Sequence, residues 1–147
     1  VPHLYLVHHA EAADPGVDPQ RPLTAGGRMH ADQLAVRARD RGVKPAVIWH
    51  SGKLRAKQTA ESFWRACNPM AALTAVRGLQ PTDPPEWIRD ALVGDARDIL
   101  IVGHMPSLPR ILGRLVGGSE GEIPEFPQHG MVALERDGER WIERWRI

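Results

Sequence analysis

The chain has 147 residues, 42% of them hydrophobic, which suits one domain with its own core and is too short for two of ordinary size. Its 19 Lys and Arg stand against 18 Asp and Glu, so no strong overall field favours nucleic acid, and any attraction for phosphate must come from local clustering. No stretch approaches the roughly 20 apolar residues of a membrane span, Val1-Pro2-His3 opens neither a basic nor an apolar leader, and the lone Cys67 can form no internal disulfide, so a soluble cytoplasmic protein is expected.

In chain order, Leu4 to Val7 is an apolar run that stops at His8 and His9, the pattern of a buried strand delivering titratable rings at its end. Asp14 to Pro19 is rich in turn residues, and Pro22-Leu23-Thr24 places a capping hydroxyl before a helix with Ala31, Leu34, Ala35 and Ala38 on one face. Val47 to Trp49 is a second apolar run, entering His50-Ser51-Gly52-Lys53-Leu54-Arg55. Ser51 or Gly52 is expected to open a helix whose Ala56, Ala60, Phe63, Trp64 and Cys67 share a face, with Asn68-Pro69 ending it. Cys67 there reads as a small buried side chain.

Ala71 to Val76 is a strand candidate, Pro81 to Pro85 a loop, and Glu86 to Leu92 a short helix. The strand Ile99 to Val102 runs into Gly103-His104. Pro106 is expected in the first turn of the next helix, which carries Leu108, Ile111, Leu112 and Leu115 and stops at Gly117-Gly118. Met131 to Glu135 and Trp141 to Arg146, joined through Asp137-Gly138, form a terminal hairpin. This alternation predicts an α/β fold, a three-layer α/β/α sandwich with a mainly parallel sheet and a C-terminal antiparallel hairpin. The five Trp residues are assigned to packing rather than to a ligand cage.

Three apolar runs therefore end in His8-His9, His50-Ser51 and His104. In open α/β sheets ligands bind beyond the carboxyl edge of the strands, where helix N-termini favour anions. Arg55, one turn into its helix, can reach back over the helix start because helical side chains tilt toward the N-terminus. Its guanidinium can hold two phosphate oxygens at once. Ser51 reads as an N-cap whose backbone shapes the anion site. His50 either orients the pocket or closes its strand, and His3 and His129 are expected at structural or surface positions. A rival reading gathers His3, His8, His9, His50 and His104 around zinc or a related ion, against which Arg55 would stand as a repelling charge.

His3 to Ala12, Arg21-Pro22-Leu23-Thr24, the run from His50 to Ala60, and Val102-Gly103-His104 together resemble the histidine phosphatase superfamily. The Arg-Pro-Leu-Thr and Leu-Arg-Ala-x-Gln-Thr blocks resemble its small SixA-like phosphohistidine phosphatases. The resemblance spans about the whole chain and implies a single histidine phosphatase domain, residues 1–147, of phosphoglycerate mutase-like fold. It implies that His9 attacks phosphorus and is transiently phosphorylated, that Arg55 and His104 contact the phosphoryl oxygens, and that Arg21 joins them. No metal or other cofactor is implied. The implied partner is a phosphorylated protein (phosphohistidine) or a small phosphorylated substrate, with inorganic phosphate as product and no membrane or nucleic acid.

Two positions depart from the family pattern. His8 stands where arginine is usual and Ala10 where glycine is usual, so charge at position 8 would depend on pH. The general acid or base is open among Glu11, Asp83 and Glu86, although Glu86 equally suits a helix start. A phosphohistidine leaving group makes only modest demands on such a donor. The alternative is a weak or silent phosphate- or phosphoprotein-binding module of the same fold.

Overall fold

The structure, a computed structural model, describes residues 1–117 and 122–147. Ten elements follow in order: β1 (His3–His8), α1 (Ala25–Asp40), β2 (Val47–His50), α2 (Leu54–Cys67), β3 (Ala72–Ala75), α3 (Glu86–Leu92), β4 (Ile99–Gly103), α4 (Ser107–Gly117), β5 (Met131–Asp137) and β6 (Arg140–Arg146). The strands form one sheet in the order β3-β2-β4-β1-β5-β6. β1, β2, β3 and β4 run parallel, while β5 pairs antiparallel with both β1 and β6. The α/β/α plan with its terminal hairpin is the one the sequence predicts.

The central strands are apolar throughout because both of their faces are covered. Leu4 and Leu6 of β1 and Ile99 and Ile101 of β4 pack with Ile88, Leu92, Leu108 and Ile111 of α3 and α4. Tyr5, Val7, Leu100 and Val102 point the other way and pack with Leu34, Ala35, Ala60 and Phe63 of α1 and α2. β3 lies at the sheet edge and is largely exposed, which is why Ala71 to Val76 gives only a faint strand pattern.

This topology makes the site. β1 and β4 are parallel neighbours, in register from Leu4 beside Ile99 to His8 beside Gly103. The helices that follow them nevertheless leave on opposite faces, α1 with one core and α4 with the other. The connections part at the carboxyl edge and open a crevice between His9 and His104.

Local details differ from the sequence expectation where side chains are used elsewhere. Thr24 does cap α1, accepting from the Gly27 N–H at 2.9 Å. Ser51 does not cap α2, which starts at Leu54 after Lys53 with no side-chain cap. Gly52 takes a left-handed φ of 91°, and the two intervening residues turn the chain before the helix begins. Pro106 likewise precedes α4 instead of entering its first turn. That helix reaches Gly117, and the expected stop at Gly118 lies outside the described residues.

One glycine keeps α1 against the loop after β1. A Cβ at Gly27 would strike the Glu11 carbonyl oxygen, and this contact is with backbone, which cannot swing aside. Gly27→Ala is expected to cost about 1–3 kcal/mol by overpacking, read as a lower urea midpoint at unchanged m-value. An unaltered midpoint would show that the two segments separate freely.

Candidate active site

His8, His9, Arg21, Arg55, Pro81, His104, Met105 and Gln128 line a cleft of about 540 Å³ at the carboxyl edge. The ladder continues one residue past β1, since the His9 N–H donates to the Gly103 carbonyl at 3.2 Å. The next residue is tied to α2: the Ala10 N–H donates to Thr59 Oγ1 at 3.0 Å, and that hydroxyl donates to the Arg55 carbonyl at 2.9 Å. Gln58 Oε1 receives the Leu23 N–H at 2.8 Å. The Gln58-Thr59 pair thus anchors both ends of the β1–α1 connection to the helix that carries Arg55.

His9 Nδ1 lies 2.7 Å from the Ala10 carbonyl oxygen. A carbonyl only accepts, so Nδ1 holds the hydrogen and the neutral ring keeps its lone pair on Nε2. Burial pushes the pKa of His9 down to about 4, against the raising effect of that hydrogen bond and with the positive charges of Arg55, His129 and Arg21 adding to the fall. His9 is therefore neutral, half-buried and nucleophilic at Nε2 near neutral pH.

His8 is held in the opposite tautomer. Its Nδ1 receives the His129 N–H at 2.8 Å, leaving the hydrogen on Nε2. Burial, reinforced by His9 and His129, lowers its pKa to about 3. Position 8 is thus a neutral N–H donor across the physiological range, which corrects the expectation of a charge that titrates there.

His104 is 2% exposed and lies at the head of α4. Ser51 Oγ receives the Lys53 N–H at 3.3 Å and stands 2.6 Å from His104 Nε2. With the hydroxyl donating to Nε2, the ring hydrogen stands on Nδ1, which has no partner among the described residues. Burial, then the neighbouring His9, Arg55, Lys53 and His8, lowers its pKa to about 3. Ser51 is a positioning residue for His104 and does not itself line the cleft.

Two guanidiniums supply the positive charge. Arg21, at a left-handed φ of 51°, donates through Nε to the Ala13 carbonyl at 2.9 Å. Arg55 Nε is buried without a partner among the described residues, and burial together with the charge of Arg21 depresses its pKa. Neither arginine has a carboxylate partner among the described residues, so Arg21 does not bridge to Asp18 or Glu11. Like charges held side by side facing a cleft are arranged for an anion.

The three candidate acids lie elsewhere. Glu11 accepts from the Thr24 hydroxyl at 2.8 Å, Asp83 from the Gln80 N–H at 2.9 Å, and Glu86 pairs with Arg114 at 2.7 Å. None lines the cleft. Each serves a helix start or a loop instead, as acidic residues near turns commonly do.

The histidines of the zinc reading are engaged in hydrogen bonds or lie apart. His3 lies at the far end of β1 beside Asp98, and His50 Nδ1 accepts from the Gly52 N–H at 3.0 Å. His8, His9 and His129 do bring nitrogens within 4.8 Å of one another. His8 cannot join as a ligand, because its Nδ1 holds an amide and its Nε2 keeps the hydrogen; Arg21 and Arg55 also oppose a cation. Cys67 takes no part: buried, with its thiol pushed up to about 11, it packs in the core. Sequence patterning does not single out Thr59, Gln58, Gln128 or His129; a motif match covers the first two, while nothing local marks the last two. A larger cleft of about 670 Å³, lined by Leu92, Arg136, Arg140 and Trp141 among others, adjoins the hairpin turn, and no histidine, cysteine or serine is among its described lining residues.

Comparison with known proteins gives the same picture. The family model described as histidine phosphatase superfamily (branch 1) matches residues 4–88. An uncharacterized protein of Picosynechococcus sp. is 28% identical over 145 residues, covering 93% of this chain and 87% of that one. The protein histidine phosphatase SixA complexed with tungstate superposes with a TM-score of 0.84 at 20% identity, covering 99% of this chain and 96% of that one. The proposed phosphohistidine phosphatase SixA of Agrobacterium tumefaciens gives 0.80 at 24% identity, covering 100% and 98%. Its proposed counterpart from Nakamurella multipartitia gives 0.68 at 25% identity, covering 90% and 83%.

The neutral rings carry a stability consequence. Folded pKa values of about 3 for His8 and His104 and about 4 for His9 lie below the ordinary 6.5, so the unfolded chain binds more protons in acid. The stability is fully present above about pH 6.5 and is lost as pH falls toward 4, at up to about 1.4 kcal/mol per pH unit for each ring. Urea midpoints measured across that window should fall with acidification; a flat profile would mean the rings are already charged in the fold.

Proposed function

Because the chain belongs to the histidine phosphatase superfamily, we propose that it removes a phosphoryl group from phosphohistidine on a protein, through a covalent phosphohistidine intermediate on His9. The observation that carries this reading is the Nδ1 bond to the Ala10 carbonyl, which leaves His9 Nε2 bare inside a cleft lined by Arg21 and Arg55. Nε2 attacks phosphorus as the bond to the leaving nitrogen breaks; water then attacks phosphorus, the electron pair of the N–P bond returns to Nε2, and phosphate departs. Phosphoryl transfer asks the protein mainly for in-line positioning and for donors around the equatorial oxygens. Arg55, Arg21, the Nε2–H of His8 and the Nδ1–H of His104 are the donors for that role. Buried Arg55 Nε and His104 Nδ1 lack partners among the described residues, and an unpaired buried donor costs about 1–3 kcal/mol, so an oxyanion fits the cradle.

The choice of phosphohistidine rests on two supports. The cleft has no carboxylate in its lining, and an imidazole leaving group needs far less proton donation than an alkoxide. The chain also resembles SixA structures described as a protein histidine phosphatase and as a proposed phosphohistidine phosphatase. Neutral His8, in place of a permanent charge, favours a second reading in which the same cleft binds phosphate or phosphoprotein with little turnover. A cytoplasmic setting fits the single buried thiol.

His9→Ala should abolish hydrolysis of phosphohistidine peptide and of an activated aryl phosphate, and abolish alkali-stable phosphoenzyme, while far-UV circular dichroism is unchanged. Retained turnover would remove His9 from the reaction, and phosphate binding by a wild-type protein that never turns over would establish the binding module. His8→Arg exchanges a neutral donor for a charge, so phosphate affinity should rise about tenfold, alike at about pH 6 and pH 8. A gain confined to the alkaline side would mean that His8 is cationic in the free protein.

A further inference from the structure

Both half-reactions move a proton, one onto the departing atom and one off the attacking water, and none of the cleft's lining residues is a carboxylate. His129 follows Gln128 of the cleft lining and packs its ring against those of His8 and His9. It sits in the turn before β5 with a left-handed φ of 52°. Its amide holds His8 Nδ1 at 2.8 Å, and its ring stacks on that of His8 with centroids 4.8 Å apart and planes 7° from parallel. Its own Nδ1 donates to the His9 carbonyl at 2.7 Å, so its second nitrogen, Nε2, is the one free to exchange a proton. Nitrogens of His8, His9 and His129 lie within 4.8 Å of one another.

The other rings are committed. His8 needs its Nε2 hydrogen because Nδ1 is occupied, and His104 Nε2 is engaged by Ser51. We infer that His129 is the proton shuttle of the reaction, its Nε2 protonating the atom that leaves phosphorus and recovering a proton from the water that cleaves phospho-His9. This rests on the nucleophilic role proposed for His9. Atoms balance: the water oxygen joins phosphorus, one water hydrogen stays on the released phosphate, and the other reaches the leaving group by way of His129.

The groups facing His129 fit that cycle. His8 and His9 face it from the end of β1, with ring centroids 4.8 and 6.2 Å from its own. From α1, His30 Nε2 donates to the His129 carbonyl at 2.8 Å. Arg21 and Arg55 stand beyond His9, where they face the phosphate.

His129→Asn separates shuttling from positioning. Asparagine tolerates the left-handed backbone, and its side-chain N–H replaces Nδ1–H toward the His9 carbonyl while Nε2 is deleted. With phosphate binding and thermal midpoint retained, kcat/KM for phenyl phosphate, a poor leaving group, should fall on the order of 10²-fold. For 4-nitrophenyl phosphate, whose leaving group departs without a proton, the fall should be much smaller. Imidazole added to the buffer should restore part of the lost rate, and the limb of the pH profile set by the shuttle should vanish. Rates within about twofold of wild type on both substrates would overturn the assignment and leave His129 a structural residue. Should the variant not fold, a leaving-group series on the wild-type protein decides: a shallow dependence on leaving-group basicity supports the shuttle, and a steep one excludes proton donation. A wild-type protein inactive on every phosphorylated compound sinks the phosphatase reading itself, whereas an active wild type matched by His129→Asn sinks only the shuttle.

Discussion

A backbone carbonyl has no hydrogen to give, so the 2.7 Å contact between His9 Nδ1 and the Ala10 oxygen exists only while Nδ1 is protonated. That constraint decides which nitrogen faces the cleft, and it holds only if the backbone at residues 9 and 10 cannot shift. The sheet and α2 supply the rigidity. His9 is paired to Gly103, Ala10 is held by Thr59, and Thr59 in turn sits one helical turn from Arg55. The His9 ring and the Arg55 guanidinium are therefore placed by one connected set of hydrogen bonds.

Burial sets the charge pattern of the site. His8, His9 and His104 are all neutral because removing an imidazolium from water is unfavourable; arginines add to the penalty at His9 and His104, and neighbouring rings at His8. Positive charge is thus concentrated in Arg21 and Arg55, which cannot lose it. The rings contribute a lone pair or a directed N–H in place of net charge. The arrangement leaves buried donors without protein partners at the carboxyl edge, a local cost in stability of the kind found where a site is built for a ligand.

The stacked pair of His8 and His129 gives this cleft its own character. One imidazole at position 8 offers a single donor where arginine would offer a planar fork, and its partner in the turn before β5 fixes which nitrogen donates. Four histidines around one crevice resemble a metal centre by composition alone. The hydrogen bonds on Nδ1 of His8, His9 and His129 and on Nε2 of His104 distinguish the two.

Much of the fold was legible in the order of residues. The runs Leu4 to Val7 and Ile99 to Val102 are apolar without alternation because both faces of a central parallel strand are covered, and a local run records that fact. The α3 boundaries at Glu86 and Leu92 and the cap at Thr24 are local chemistry too, and were readable for the same reason. His9, Arg55, Arg21 and His104 stood out because each ends a strand or opens a helix within a recognisable block. The start of α2, the role of Ser51 and the engagement of Glu11, Asp83 and Glu86 depended on which neighbour each side chain met. His129 is 120 residues from the carbonyl it holds, and no periodicity links them. Sequence by itself determined the strands, the helices and the kinds of side chain at the carboxyl edge, because these follow from burial patterns a few residues long. The tautomers, the depressed ring pKa values and the partnership of His129 with His8 and His9 were decided only by tertiary structure, because a proton's position depends on what stands within 3 Å of it, and chain folding alone brings those groups together.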